Sequence, residues 1–268
     1  MVAARKLTTR SGRSAAGRFL AEGAQAVREA LARAAGRDRP AAVHELFVTE
    51  QAASRHADLV RQARAAGVRV STVTPRAAEL LSETVTPQGL VAVCDTVDVT
   101  VAEAIGDSPR MVAVLVGVSD PGNAGTVVRV ADAAGADAVV LAGDSVDPHN
   151  GKCVRASTGS LFHLPVARER DVADVMTACR AAGLRVVAAD GRATQRLDDA
   201  DVEAALAEPT AWLFGNEAHG LAPEVTRAAD AAVAVPIYGA AESLNLATAA
   251  AVCLYATARA QRSQSSRQ

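Results

Sequence analysis

MVAVLVGV, from Met111 to Val118, decides how this chain folds. It carries no charged residue, and successive positions are apolar rather than alternating. Such a strand is buried on both faces, the pattern of a parallel sheet covered by helices. DPGNAGTVVR, Asp120 to Arg129, follows at once and leads into a helix. Two later stretches repeat the arrangement: LFGNEAHGL, Leu213 to Leu221, and PIYGAAESLNLATA, Pro236 to Ala249. In each, an apolar strand gives way to Gly, Asn and one or two charged or hydroxyl residues. Polar groups gathered at the ends of buried strands are what an α/β enzyme uses to build a site.

Working outward, strands are predicted at Met111–Val118, Ala136–Leu141, Leu164–Ala167, Leu184–Ala189, Ala211–Phe214 and Ala231–Pro236. Helices are predicted between most of them, at Ala124–Ala134 and Val172–Ala182, with a last one at Ser243–Ala260. The result is a mostly parallel six-stranded sheet. Upstream, the patterns predict a helix from Phe19 to Ala35 ending near Gly36, a strand at His44–Thr49, and a helix at Ser54–Ala66. A strand at Val68–Val73, a short helix from Pro75 and a strand at Gly89–Thr96 complete a small α/β module. The expected domains are therefore a basic flexible tail at 1–17, a small α/β domain at 18–97, a linker at 98–110 and the larger α/β domain at 111–262.

The chain has 268 residues, half of them apolar, and a net charge of −2. That is a soluble globular composition with no membrane span and no secretory leader. Cys94, Cys153, Cys179 and Cys253 are scattered, which argues against a zinc site or disulfide framework and for a reducing cytoplasm; no metal is expected. Residues 1–97 hold 14 Lys/Arg against 9 Asp/Glu, a net of +5, while residues 98–268 net −7. The basic start reads either as an arm for a polyanion or as a solvated tail. The last helix is apolar or small almost all round until Arg259, which places it either against a second subunit or deep in its own domain.

Among the polar residues, Asn123 sits where an N-cap belongs. Arg129 is a lone cation in an apolar helical segment, and it needs a task or an ion-pair partner. Gly215 lets a ligand approach backbone; Glu217 lies at the mouth of the sheet, or else supports the helix at Pro223. His219 is a loop histidine of the kind that is more often structural. Ser243 is the natural cap of the last helix, and Asn245 falls in its first turn, where asparagine is a poor helix former. No G-x-G-x-x-G fingerprint is present, which argues against a dinucleotide-binding dehydrogenase.

Taken together, N-x-G-x-x-x-R, F-G-N-E-x-x-G and P-x-x-G-x-x-x-S-L-N resemble the three signature motifs of the SpoU/TrmH family of RNA ribose methyltransferases, in the SPOUT class. The layout also resembles the thiostrepton-resistance branch. FLAEGAQAVREAL, Phe19 to Leu31, and TPQGLVAV, Thr86 to Val93, are similar to the phrases that open and close that family's RNA-binding domain. The resemblance implies a trefoil knot in the C-terminal domain and a homodimer that completes the active site. It also implies S-adenosylmethionine held mainly by backbone near Ala189, Leu213, Gly215, Ile237, Ser243 and Leu246. The acceptor would be a ribose 2′-hydroxyl, in ribosomal RNA before transfer RNA. Arg129 would promote its deprotonation, with Ser243 at the hydroxyl, Glu217 orienting polar partners, and Asn123 and Asn245 ordering the loops. The alternatives are a transfer-RNA enzyme and a non-catalytic RNA- or ribosome-binding protein of the same fold.

Overall fold

RFLAE, Arg18–Glu22, is a strand rather than the first turn of a helix. Its Phe19 is fully buried, where the ring stacks on Phe162 at 5.9 Å and tilts against His149 at 4.7 Å. The computed structural model describes residues 1–35, 42–84 and 86–265, so the predicted helix end at Gly36 lies outside the described residues. The chain forms two units. The first comprises Met1–Val97 and Asp147–His163, and the second comprises Asp98–Val146 and Leu164–Gln268.

In the first unit β1 (Arg18–Glu22), β2 (Val43–Val48), β3 (Arg69–Thr72) and β4 (Leu90–Asp95) form a sheet in the order β1-β4-β2-β3. β4 runs antiparallel to β1 and β2, while β2 and β3 are parallel. The helix expected from Phe19 begins instead at Ala24, since the preceding apolar run is used by β1. The helix expected over Ser54–Ala66 is two, Glu50–Arg55 and Ala57–Ala65, broken at His56, whose ψ of 44° is not helical.

Residues 1–17 are not the expected flexible tail. They fold into helices Val2–Lys6 and Arg10–Ala16, and Ala4 and Leu7 join a core cluster with Leu20, Phe47 and Val91. Arg13 is buried. It pairs with Asp147 at 2.8 Å and donates to the Leu7 and Thr8 carbonyls. Asp147 also faces His149, whose Nε2 accepts the Val97 N–H at 3.1 Å, so its Nδ1 carries the proton toward the carboxylate. Burial pushes the Asp147 pKa up, but the His149 and Arg13 hydrogen bonds outweigh it and hold the carboxyl well below the usual range. Segment Asp147–His163, expected inside the larger domain, is thus bound into the smaller unit.

Among the described residues the second unit has eight parallel strands, not six. They are β5 (Asp98–Val99), β6 (Met111–Val116), β7 (Ala138–Ala142), β8 (Val166–Glu169), β9 (Arg185–Ala189), β10 (Gln195–Arg196), β11 (Thr210–Phe214) and β12 (Ala231–Ala234). Their order is β10-β12-β9-β11-β6-β7-β8-β5. The two additions are the two-residue strands at the edges, too short to show any periodicity. The stretch 98–110 is no linker. β5 pairs with β8, and the following helix, Val101–Ile105, carries a Thr100/Glu103 capping box and buries Ala104 and Ile105 in the core. As MVAVLVGV predicted, β6 is buried on both faces, between β7 and β11.

The last helix runs from Leu246 to Ser265, three residues later than expected. One face, with Ala247, Ala250, Cys253, Leu254 and Thr257, packs inward, and the Trp212 indole N–H donates to Thr257 Oγ1 at 2.9 Å. It is not buried on every face: Val252 is 39% exposed and Tyr255 51%.

Candidate active site

In an open parallel sheet the loops beyond the carboxyl ends of the strands are the place for a site, at the point where strand order reverses. Here the chain moves one way from β6 to β7 and β8, then returns to place β9, β11 and β12 on the other side of β6. A cleft of about 320 Å³ opens beyond β9, β11 and β12, a size suited to a small molecule. Five of the six residues expected to hold a cofactor line it: Ala189, Gly215, Ile237, Ser243 and Leu246. Leu213 does not. Its side chain is fully buried in the sheet core, one position back along β11 from Phe214, which does line the cleft. Asp190, Glu217 and Glu242 line it too, and among the described residues no lysine or arginine does.

The three polar loops are joined by one chain of hydrogen bonds. Glu217 accepts from Ser119 N–H (3.1 Å), Ser119 Oγ (3.1 Å), Asp120 N–H (3.0 Å) and Asn123 Nδ2 (3.1 Å). Asn245 Nδ2 then donates to Asn123 Oδ1 at 3.1 Å. Glu217 therefore orders the loop after β6 and is not engaged with the helix at Pro223. Partial burial raises its pKa, but the backbone and Asn123 hydrogen bonds prevail and keep the carboxylate below the ordinary glutamate range.

Two capping assignments change. Asp120, not Asn123, caps the Pro121–Ala134 helix, accepting the Asn123 N–H at 2.8 Å. Asn245, not Ser243, caps the last helix, accepting from Ala247 N–H at 2.9 Å and Thr248 N–H at 3.3 Å. The Asn123 and Asn245 side chains meet each other instead, while Ser243 stands exposed at the cleft wall. Sequence reasoning missed Asn216: its Nδ2 donates to the Gly117 carbonyl at 2.8 Å and its Oδ1 accepts the Ala218 N–H at 2.9 Å. An asparagine between the two glycines of one loop, Gly215 and Gly220, is the available signal. His219 sits beside Asn216 Oδ1 at 3.3 Å.

Gly215 has a tighter reason for being glycine than ligand approach. A Cβ there would lie 2.2 Å from the Gly220 carbonyl carbon, because the loop folds back into a bridge between Asn216 and Gly220. Arg129 is exposed on the outer face of its helix, whose buried face is Ala124, Val127, Val128 and Ala131. It is not in an apolar environment, and it does not line the cleft of its own chain.

Residues 110–255 match the SpoU rRNA Methylase family, and residues 20–99 match the RNA 2′-O ribose methyltransferase substrate-binding family. The chain belongs to the SpoU rRNA methylase family. It is 40% identical over 123 residues to the 23S rRNA (uridine(2479)-2′-O)-methyltransferase of Streptomyces viridochromogenes, covering 44% of this chain and 42% of that protein. The chain thus aligns with under half the length of the curated relatives it matches. The solved SpoU methyltransferase AviRb of the same organism, in complex with AdoMet, superposes with a TM-score of 0.80 at 30% identity, covering 97% of both chains. An AdoMet-bound rRNA methyltransferase from Sinorhizobium meliloti superposes at 0.79 and 30% identity, covering 96% of this chain and 93% of that one.

Proposed function

We propose that this chain is an S-adenosylmethionine-dependent RNA methyltransferase acting on a ribose 2′-hydroxyl in ribosomal RNA. The observation that carries the reading is the hydrogen-bond chain Glu217–Asn123–Asn245, which gathers the three motif loops beside one cleft. The cleft suits a sulfonium ligand with an ammonium group: Glu217, Glu242 and Asp190 line it, the last paired with Arg192 at 3.1 Å, and among the described residues no lysine or arginine lines it. Ala189, Gly215, Ile237, Ser243 and Leu246 would hold it, with the backbone at the end of β11, at Leu213 to Gly215, beside it. S-adenosylmethionine supplies an already activated methyl group, so the remaining problem is a poor nucleophile.

The protein's part is to place the 2′-hydroxyl in line and help it lose its proton. Arginine is a very poor base, so the role assigned to Arg129 is electrostatic: its cation lowers the hydroxyl pKa and holds the ribose or phosphate. Ser243, at the cleft wall, is placed to hydrogen-bond the hydroxyl. The first unit, with its family match at 20–99 and basic character, is assigned to RNA binding. A cytoplasmic location accords with four buried free cysteines. Among the described residues no helix is long and apolar enough to cross a membrane. The decisive experiment incubates the protein with labelled S-adenosylmethionine and unmodified 23S rRNA, then maps ribose methylation. Label in a base, or none in RNA, would overturn the reading.

Glu217→Ala should weaken S-adenosylmethionine binding roughly tenfold by loosening the loop after β6, with little change in melting temperature, because the freed donors are exposed to water. Calorimetric titration beside a melting curve checks this. The sign with pH follows from the lowered pKa: the network is intact above the ordinary glutamate range and is lost as pH falls through the depressed value.

A trefoil knot in the second unit is part of the same reading. The chain passes β9 to reach β12, and the last helix then returns against the Pro121–Ala134 helix. So is a homodimer, supported by the exposed Val252 and Tyr255 and by an Arg129 outside its own cleft. Leu254 would not test it, being fully buried in its own core. Val252→Glu with Tyr255→Glu should shift the sedimenting species from dimer to monomer while leaving the fold intact. A wild-type protein that sediments as a monomer would count against the dimer.

A further inference from the structure

The chain is poor in aromatics, and its four phenylalanines and single tryptophan are all buried. Tyr238 is the opposite case, 80% exposed, directly after Ile237 on the cleft wall. An aromatic ring left in water ordinarily samples several rotamers, but this one is anchored. Its hydroxyl donates to Asp198 Oδ2 at 2.7 Å, and the Arg196 guanidinium lies over the ring, 5.8 Å from its centroid. Arg196 is itself held: Nε and Nη2 donate to the two Asp198 oxygens at 3.1 and 3.3 Å, and its backbone N–H donates to Asp199 at 2.7 Å. β10, paired with β12, presents Arg196 there. The assembly hides almost none of the ring, so packing does not explain it.

We infer that Tyr238, backed by Arg196 and pinned by Asp198, is a stacking platform for an unpaired RNA base next to the ribose that is methylated. The inference rests on the methyltransferase reading above. A base has an apolar π-face whatever its identity, and aromatic and guanidinium planes are the surfaces on which single-stranded RNA stacks. A nucleotide whose sugar must enter a cleft leaves its helical stack, and its neighbour needs a substitute.

The test compares full-length wild type with Tyr238→Ala, Tyr238→Phe and Tyr238→Trp. Three quantities are measured: affinity for a short single-stranded oligoribonucleotide containing 2-aminopurine, steady-state kinetics on unmodified 23S rRNA, and calorimetric binding of S-adenosylmethionine. Tyr238→Ala should weaken oligonucleotide binding and raise KM for RNA by roughly tenfold, leaving kcat and cofactor affinity unchanged. Tyr238→Phe, which keeps the ring but loses the Asp198 bond, and Tyr238→Trp should retain most of the affinity and the quenching of 2-aminopurine. The platform is wrong if Tyr238→Ala binds RNA like wild type, or if Tyr238→Phe loses as much as Tyr238→Ala. It is equally wrong if cofactor affinity falls while RNA affinity does not, which would set the ring against the cofactor instead. A wild-type protein that binds no RNA sinks the methyltransferase reading and the platform together; a wild type that methylates RNA with an unaffected Tyr238→Ala sinks the platform alone.

Discussion

Arg129→Ala should lower the single-turnover rate of RNA methylation by roughly a hundredfold or more, a loss of about 3 kcal/mol of transition-state stabilisation. Folding should be untouched, because the side chain is exposed and the apolar face of its helix lies elsewhere. Cofactor affinity should be equally untouched, because Arg129 does not line the cleft. Arg129→Lys should restore only part of the rate, since a point ammonium does not reproduce the planar fork of a guanidinium. Rapid-quench methylation of ribosomal RNA, calorimetry with S-adenosylmethionine and a melting curve separate the three effects. An alanine variant that methylates at the wild-type rate would remove Arg129 from the reaction.

The largest stability effect is expected in the first unit. Arg13→Ala leaves the Asp147 carboxylate buried without its guanidinium and should cost about 3–5 kcal/mol in denaturant unfolding of that unit. Replacing both partners, Arg13→Met with Asp147→Leu, should recover most of it, because no uncompensated charge then remains. The pH dependence has a definite sign. Asp147 titrates below its ordinary value in the folded protein, so the pair's contribution is present above that ordinary value and is lost as pH falls through the depressed one. Arg13→Ala should therefore begin acid unfolding at a higher pH than wild type. Equal acid midpoints for the two proteins would show that the ion pair contributes nothing.

What the sequence revealed and what it hid follow from how far each signal reaches. The central strands were legible because β6, β7 and β11 are apolar runs buried on both faces, a local property. The gathering of Asn123, Glu217 and Asn245 was legible through the motif resemblance, but the bonds among them were not: they span 94 and 122 positions. Serine is a good cap, which favours Ser243 on sequence grounds, yet the helix does not start until Leu246, and Asn245 caps it and reaches Asn123 with the two ends of one amide. The two-residue strands β5 and β10 offered no period to detect. Arg13 was hidden among five cations in the first eighteen residues. Only its partner Asp147, 134 positions away, distinguishes it from its neighbours.

That separation has a consequence for how the protein is made. The first unit is discontinuous, and on the ribosome its opening helices emerge long before the segment that completes them. A nascent chain ending at Val97 presents Arg13 without Asp147 and Phe19 without the rings of His149 and Phe162. Its four strands are all present by then, but the contacts of Arg13 and Phe19 wait until residue 163 has left the exit tunnel. The unit begun first is thus completed only after β6 and β7 of the other unit have been made.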